Sequence, residues 1–226
     1  MSILPKQATP PSSRMADYVW HFYGEPGVGK TTLANQFPSP IFIATEPGTS
    51  AMHAASVDVS TWQDMKLVLD ALRKEKHSYK TVVLDTVDVA YTLCTTHVCE
   101  SNGWVDVADG DFGRGWRAVD REWTNMIAQL RSLPMCAIFI GHEKREEIVE
   151  RMGSRDVATG RQRVSTALPR SARSTLHAAM DFILRCELTD DNERLLRTQP
   201  MEGKRERIEA KARGHKGAML PDTLPM

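Results

Sequence analysis

No apolar run in this 226-residue chain approaches the roughly 18 residues that a membrane-spanning helix needs, and no secretory apolar stretch opens it. A soluble protein with no membrane partner is therefore expected. Cysteine is scarce: Cys94, Cys99, Cys136 and Cys186 are the four, and two of them sit inside apolar runs. That usage suits a reducing compartment and argues against a disulfide scaffold. Cys94, His97 and Cys99 lie close together but give no four-ligand zinc pattern, so packing thiols on a helix are the expectation. An excess of charge of one sign is also missing. Lys plus Arg and Asp plus Glu both number 29, so a nucleic-acid surface, if there is one, must be local.

What is present is concentrated in residues 24–31, GEPGVGKT, which fit the pattern G-x-x-x-x-G-K-[ST] at every fixed position. Gly24, Gly27 and Gly29 let the backbone turn tightly, so that main-chain N–H groups of the loop, which also holds Glu25, Pro26 and Val28, can surround a polyphosphate. Lys30 supplies a point charge for the β- and γ-phosphates. Thr31 offers a hydroxyl to Mg²⁺, and with Thr32 it opens the following helix, whose N-terminus adds positive potential. The flanks have the required order: residues 18–23 are aromatic and β-branched and read as a strand, and residues 32–37 read as a helix.

Residues 1–16 hold three prolines and read as an unstructured tail, followed by a single domain over 17–226. Residues 41–45 form a short apolar strand ending at Glu46, and 57–59 a brief one. A helix spans 62–72 after the caps Ser60 and Thr61, with Trp62, Met65, Leu69 and Leu72 on one face. Residues 81–85 make a buried strand ending at Asp85, the candidate second acid that holds Mg²⁺ with Thr31. Residues 87–100 read as a helix and 101–115 as a loop. Residues 116–132 form an amphipathic helix carrying Trp116, Val119, Trp123, Ile127 and Leu130. Residues 135–140 give another buried strand, closing on Gly141 and His142. Such alternation predicts a parallel sheet with helices on both faces, with Lys30, Glu46, Asp85 and His142 gathered at strand ends.

Beyond His142 the segment 151–177 holds six arginines against one acid, Asp156, and reads as a mobile basic loop. A helix over 171–180, a strand over 182–186 and a hairpin into 195–198 follow. In residues 207–213 the alternation predicts one strand, with Ile208, Ala210 and Ala212 facing inward and Lys211 and Arg213 outward.

In order, GEPGVGKTTL, IFIATE, VVLDT, IFIGH, LPRSARSTLHAAMDFIL and EAKAR resemble the RecA-type core of the P-loop NTPases. More closely they resemble phage ATP-binding proteins of that type associated with single-strand annealing and recombination. The resemblance implies an α/β fold, a RecA-like parallel sheet with C-terminal antiparallel strands, and ATP hydrolysis with Mg²⁺. It assigns Glu46 to activating the attacking water. His142 stands where these proteins place a γ-phosphate-sensing glutamine. Lys211 and Arg213 match a basic pair that reaches the neighbouring subunit's γ-phosphate, which requires a homo-oligomer. The basic segment, with Arg151, Arg155, Arg161, Arg163 and Arg170, stands where the family contacts single-stranded DNA. A single-strand-binding protein is an implied partner, and a bacterial host cytoplasm the implied setting if the chain is phage-encoded. The competing readings are an AAA+-type loader, which calls for an all-helical lid after the sheet, and a nucleotide-regulated interaction module with little turnover. A charged solvated surface is the plain alternative for the arginines, and a charged sheet edge for Lys211 and Arg213.

Overall fold

The computed structural model describes residues 12, 14–48, 52–153, 155–203, 205–212 and 223–225. The elements are β1 (Val19–Gly24), α1 (Lys30–Ala34), β2 (Pro40–Ala44), β3 (Ala55–Asp58), α2 (Trp62–Lys74), β4 (Thr81–Asp85), α3 (Val87–Asn102), α4 (Arg114–Arg131) and β5 (Cys136–Met152). They continue with β6 (Arg155–Thr166), α5 (Arg170–Ala179), β7 (Phe182–Leu188), β8 (Arg194–Arg197), β9 (Met201–Glu202), β10 (Glu206–Ile208), β11 (Lys211–Ala212) and β12 (Thr223–Pro225). The tail expected over residues 1–16 lies mostly outside the described residues; within them Met15–Asp17 form one 3-10 turn.

The main sheet runs in the order β12-β8-β7-β1-β5-β4-β2-β3. From β3 to β7 every pairing is parallel, and β8 and β12 add antiparallel strands at one edge. Strand β5 stands between β1 and β4, so the phosphate-loop strand and the strand ending in Asp85 are one strand apart. Period two divides each central strand between two cores. Tyr23 and Phe139 join Trp62, Met65, Leu69, Trp123 and Leu130 beneath α2 to α5. Trp20, Phe22, Phe42 and Ile138 face the other way, toward Phe37 and the short α1. Each fully buried large side chain contributes roughly 1.5–3 kcal/mol, which makes these two layers the frame that fixes the strand ends.

Local signals agree with the elements they specify. Thr61 and Asp64 form a reciprocal capping box at the start of α2, and its apolar face, Trp62, Met65, Leu69 and Leu72, is buried. Helix α1 ends at Ala34, earlier than the expected residue 37, because residues 35–37 turn toward Pro38. Trp116 is half exposed, contrary to its place in the helical pattern. In the first turn of α4 the inward position belongs to Gly115, where a Cβ would lie 2.0 Å from the Val107 carbonyl oxygen.

The largest departure follows His142. Strand β5 does not stop there but runs on to Met152 and returns as β6, so the expected mobile loop is a two-stranded antiparallel ribbon followed by α5. Cross-strand pairing explains its order: Glu146 lies opposite Arg163, and Arg151 opposite Asp156. Across 143–166 six basic residues meet five acids: the partner strand over 143–150 carries four acids against two bases and offsets part of the net positive charge read from 151–177.

Residues 207–213 likewise depart from a single strand. Strand β10 pairs with β6 and β9, the chain breaks at Glu209 and Ala210, and β11 pairs with β7. Ile208 is buried as expected. Among the described residues no helix is long and apolar enough to cross a membrane.

Candidate functional site

The loop between β1 and α1 sits at the carboxyl ends of the parallel strands. At Gly24 a Cβ would stand 2.2 Å from the Cys186 carbonyl oxygen, so only glycine lets β1 and β7 approach this closely. Gly29 takes φ 102° as it delivers the chain into α1. Lys30 is buried, and its Nζ donates to the carbonyls of Gly24 at 3.0 Å and Glu25 at 2.8 Å. Burial lowers its pKa, against the opposing pull of Asp85, Asp88 and Glu46. A polyphosphate entering the loop would offer this ammonium charged acceptors in place of neutral carbonyls.

Thr31 Oγ1 donates to Asp85 Oδ2 at 2.8 Å across 54 residues of sequence. Burial raises the Asp85 pKa, and the hydrogen bond from Thr31 only partly offsets it. A hydroxyl and a carboxylate are hard oxygen donors, suited to Mg²⁺ held jointly with substrate phosphates. Among the described residues no group of three or more His, Cys, Asp or Glu could hold a metal ion by itself.

Strand β2 brings Glu46 to the same rim. Its neighbour Thr45 is tied to the end of β4, with Thr45 N donating to the Asp85 carbonyl and Thr86 N to Thr45 Oγ1, both at 2.8 Å. His142, from β5, places Nε2 3.5 Å from Glu46 Oε1 and Nδ1 2.8 Å from Asp88 Oδ2. The hydrogen bond to Asp88 is the leading reason that the His142 pKa is raised, with burial opposing. Lys30, Thr31, Glu46, Asp85 and His142 are thus brought together. Asp88 joins them without any motif to announce it, its one signal being a carboxylate in the first turn of the helix after Asp85.

The next residue, Glu143, turns to the other side of the strand. Its carboxylate, 2% exposed, accepts from Arg185 Nε at 2.6 Å and Nη2 at 3.3 Å. Arg185 also donates to Glu187 at 2.7 Å, and Glu187 accepts from Arg197 at 2.8 Å. Arg145 bridges Glu143 at 3.1 Å and Glu25 of the phosphate loop at 3.5 Å. A cavity of about 220 Å³ lies here, against Glu25, Gly27, Val28, Arg145 and Arg185. This chain of alternating charges was not read from the sequence.

The remaining candidates are dispersed. Arg151 and Arg155 are exposed at the far end of the ribbon. Arg161 bonds Glu202 at 3.1 Å, and Arg163 lies 3.9 Å from Glu209. Arg170, Arg173 and Arg207 join Arg163 and Lys211 around a separate cavity of about 650 Å³. Lys211 does not project outward. Its Nζ donates to the His177 and Met180 carbonyls at 2.9 and 2.5 Å, closing the C-terminus of α5. The physical reason is the break at Glu209 and Ala210, which turns β11 against β7. Arg213 lies outside the described residues. All four cysteines are free and buried, as packing thiols should be.

A family model described as an AAA domain matches residues 16–213. The chain is also 29% identical over 126 residues to the SPbeta prophage-derived uncharacterized protein YorG of Bacillus subtilis (strain 168). That alignment spans 53% of this chain and 39% of the relative, well under two thirds of its length.

Proposed function

On the premise that the chain belongs to the AAA domain family of P-loop NTPases, matched over residues 16–213, we propose that it is an Mg²⁺-dependent ATPase with a RecA-like core that acts on single-stranded DNA. The observation that carries the nucleotide part is the Thr31–Asp85 hydrogen bond at 2.8 Å within a complete phosphate loop. Glu25 to Thr32 cradle the phosphates, Lys30 neutralises them, and Thr31 with Asp85 holds the cation. Mg²⁺, when bound, supplies charge neutralisation at the phosphates. Glu46 takes the proton of the attacking water, and His142 senses the γ-phosphate. The placement of Glu46, just past β2, and His142, on β5, at one rim on either side of β4 and 3.5 Å from one another, supports both roles.

The DNA part rests on the basic side chains of the ribbon and α5, namely Arg151, Arg155, Arg161, Arg163 and Arg170. The prophage origin of the relative supports a phage setting; a bacterial cytoplasm and a role in recombination or annealing belong to the same reading. Homo-oligomeric assembly, with Arg213 acting across the boundary, and cooperation with a single-strand-binding protein belong to the same reading. The family description also favours a second reading, an AAA+-type loader; against it, the described residues after α5 form strands and no helical lid.

The test is ATP hydrolysis titrated with an oligonucleotide across a salt series. Phosphate contacts by the arginines predict single-strand binding that falls steeply as salt rises. Affinity that is absent, or flat in salt, removes the DNA part and leaves an ATPase.

A further inference from the structure

His142 is held twice by one carboxylate. Asp88 Oδ1 accepts from the His142 backbone N–H at 3.1 Å, while Oδ2 meets the ring Nδ1 at 2.8 Å. The two contacts fix both the position of the residue and the direction of its ring, leaving Nε2 aimed at Glu46. Asp88 is set in the first turn of the sixteen-residue helix α3, directly after the strand that ends in Asp85. Neither the phosphate-loop pattern nor the apolar periodicity that reveals the other site residues requires an acid here.

An imidazole between two carboxylates satisfies both only when each nitrogen carries a proton, so the arrangement selects the imidazolium. Burial works to raise the Asp88 pKa, and the hydrogen bonds from the His142 ring and backbone outweigh it, holding the carboxylate low. The His142 pKa moves up in turn. The charged groups around the ring are Asp88 and Glu46 in contact, with Lys30 and Asp85 farther off. Two carboxylates touching the ring outweigh the one ammonium.

We propose that Asp88 is a positioning residue for hydrolysis: it clamps His142 so that Nε2 holds Glu46 while the site is empty and transfers to a terminal phosphate when one arrives, releasing Glu46 to act as base. The proposal rests on the ATPase reading above. A terminal phosphate is a stronger acceptor than a carboxylate 3.5 Å away, and the clamp lets Nε2 switch partners while Nδ1 keeps its own. His142 is also the branch point of its strand. It is the last residue of β5 paired with β1, opposite Gly24, and the next residue, Glu143, begins the pairing with β6. The backbone bond from His142 N–H to Asp88 therefore anchors the root of the ribbon as well as the ring.

The experiment compares wild type with Asp88→Asn, Asp88→Glu, His142→Gln and the double variant Asp88→Asn/His142→Gln, measuring kcat, KM for ATP and melting temperature. Asp88→Asn keeps shape and one acceptor but cannot hold the imidazolium. It is expected to lower kcat by about 10- to 100-fold, the usual cost of losing a partner that orients a functional histidine, with KM within about threefold of wild type because the phosphate loop is untouched. Asp88→Glu is expected to recover part of the rate. In the His142→Gln background Asp88→Asn should cost nothing further, since no ring remains to be oriented. Equal losses in both backgrounds, or a change confined to KM and melting temperature, would overturn the clamp. Should wild type bind ATP without hydrolysing it, the ATPase reading fails, and the clamp is judged from the NMR signals of the His142 ring. Its titration should lie above that of an ordinary histidine in wild type and fall in Asp88→Asn; an unchanged midpoint overturns the proposal.

Discussion

Replacing Glu143 by alanine removes a buried link in the chain of alternating charges that runs from Glu25 through Arg145, Glu143, Arg185 and Glu187 to Arg197. The Glu143 carboxylate is 2% exposed, accepts two bonds from Arg185 and is joined by Arg145. In the variant the Arg185 guanidinium stays buried with Glu187 at 2.7 Å, and Glu187 is already shared with Arg197. Breaking a buried pair from one side costs roughly 3–5 kcal/mol. The retained Glu187 puts the expectation at the lower end, about 3 kcal/mol, which for a chain of this size is a fall in melting temperature of about 6–12 °C. Thermal and urea denaturation measure it. Glu143→Met combined with Arg185→Met should be milder than Glu143→Ala, because no charge is left without its partner and Glu187 keeps Arg197. A fall under about 2 °C for Glu143→Ala, or a double variant as damaged as the sum of its singles, would refute the view that this network anchors the root of the ribbon.

Asp85→Asn keeps an acceptor for Thr31 while removing a charge that burial disfavours. The nucleotide-free protein should melt no lower than wild type at pH 7 while the Mg²⁺ dependence of nucleotide binding disappears; a lower melting temperature with a normal Mg²⁺ response would contradict this. Burial depresses His21 to about 4 and His177 to about 3, with His21, Arg173 and Lys211 adding to the latter. These groups stay neutral in the fold while the unfolded chain takes up protons below about pH 6.5. Stability should therefore fall as pH drops from 6.5 toward 4, by roughly 1.4 kcal/mol per pH unit for each of the two histidines. The raised His142 acts with the opposite sign and above that window, its contribution being lost as pH rises through its folded pKa. Urea melts of wild type and His177→Asn check the slope, which should flatten in the variant. Lys211→Ala should cost about 1–2 kcal/mol by uncapping α5. An unchanged melting temperature alongside impaired hydrolysis would instead mark Lys211 as a cation of the reaction.

The phosphate loop was legible because fixed spacing ties each residue to one chemical task, and Asp85 and Glu46 because each closes a short apolar strand. The parallel core was legible for a related reason: strands buried on both faces carry unbroken apolar runs, such as TVVLD, which charged neighbours cannot imitate. The ribbon was not. Its two strands are charged on both faces, so neither alternation nor an apolar run marks them, and their order comes from pairings such as Glu146 with Arg163 that exist only once the strands meet. Lys211 shows a second limit. The alternation of residues 207–212 was real, but a two-residue break redirected the chain and turned an expected outward cation onto helix carbonyls. Asp88 belongs to no short motif. Its role depends on a contact across 54 residues, to His142, which no local pattern encodes.

The central claim is that this site hydrolyses ATP, with Glu46 as the base. The most direct measurement is single-turnover hydrolysis by wild type and Glu46→Gln, with ATP binding measured on the same preparations and Lys30→Ala as the variant unable to bind. The account predicts that Glu46→Gln binds ATP as wild type does and hydrolyses it about 10²- to 10⁴-fold more slowly, as when a general base is lost and the binding groups remain. Hydrolysis at the wild-type rate, or a loss of binding as large as the loss of rate, would contradict it.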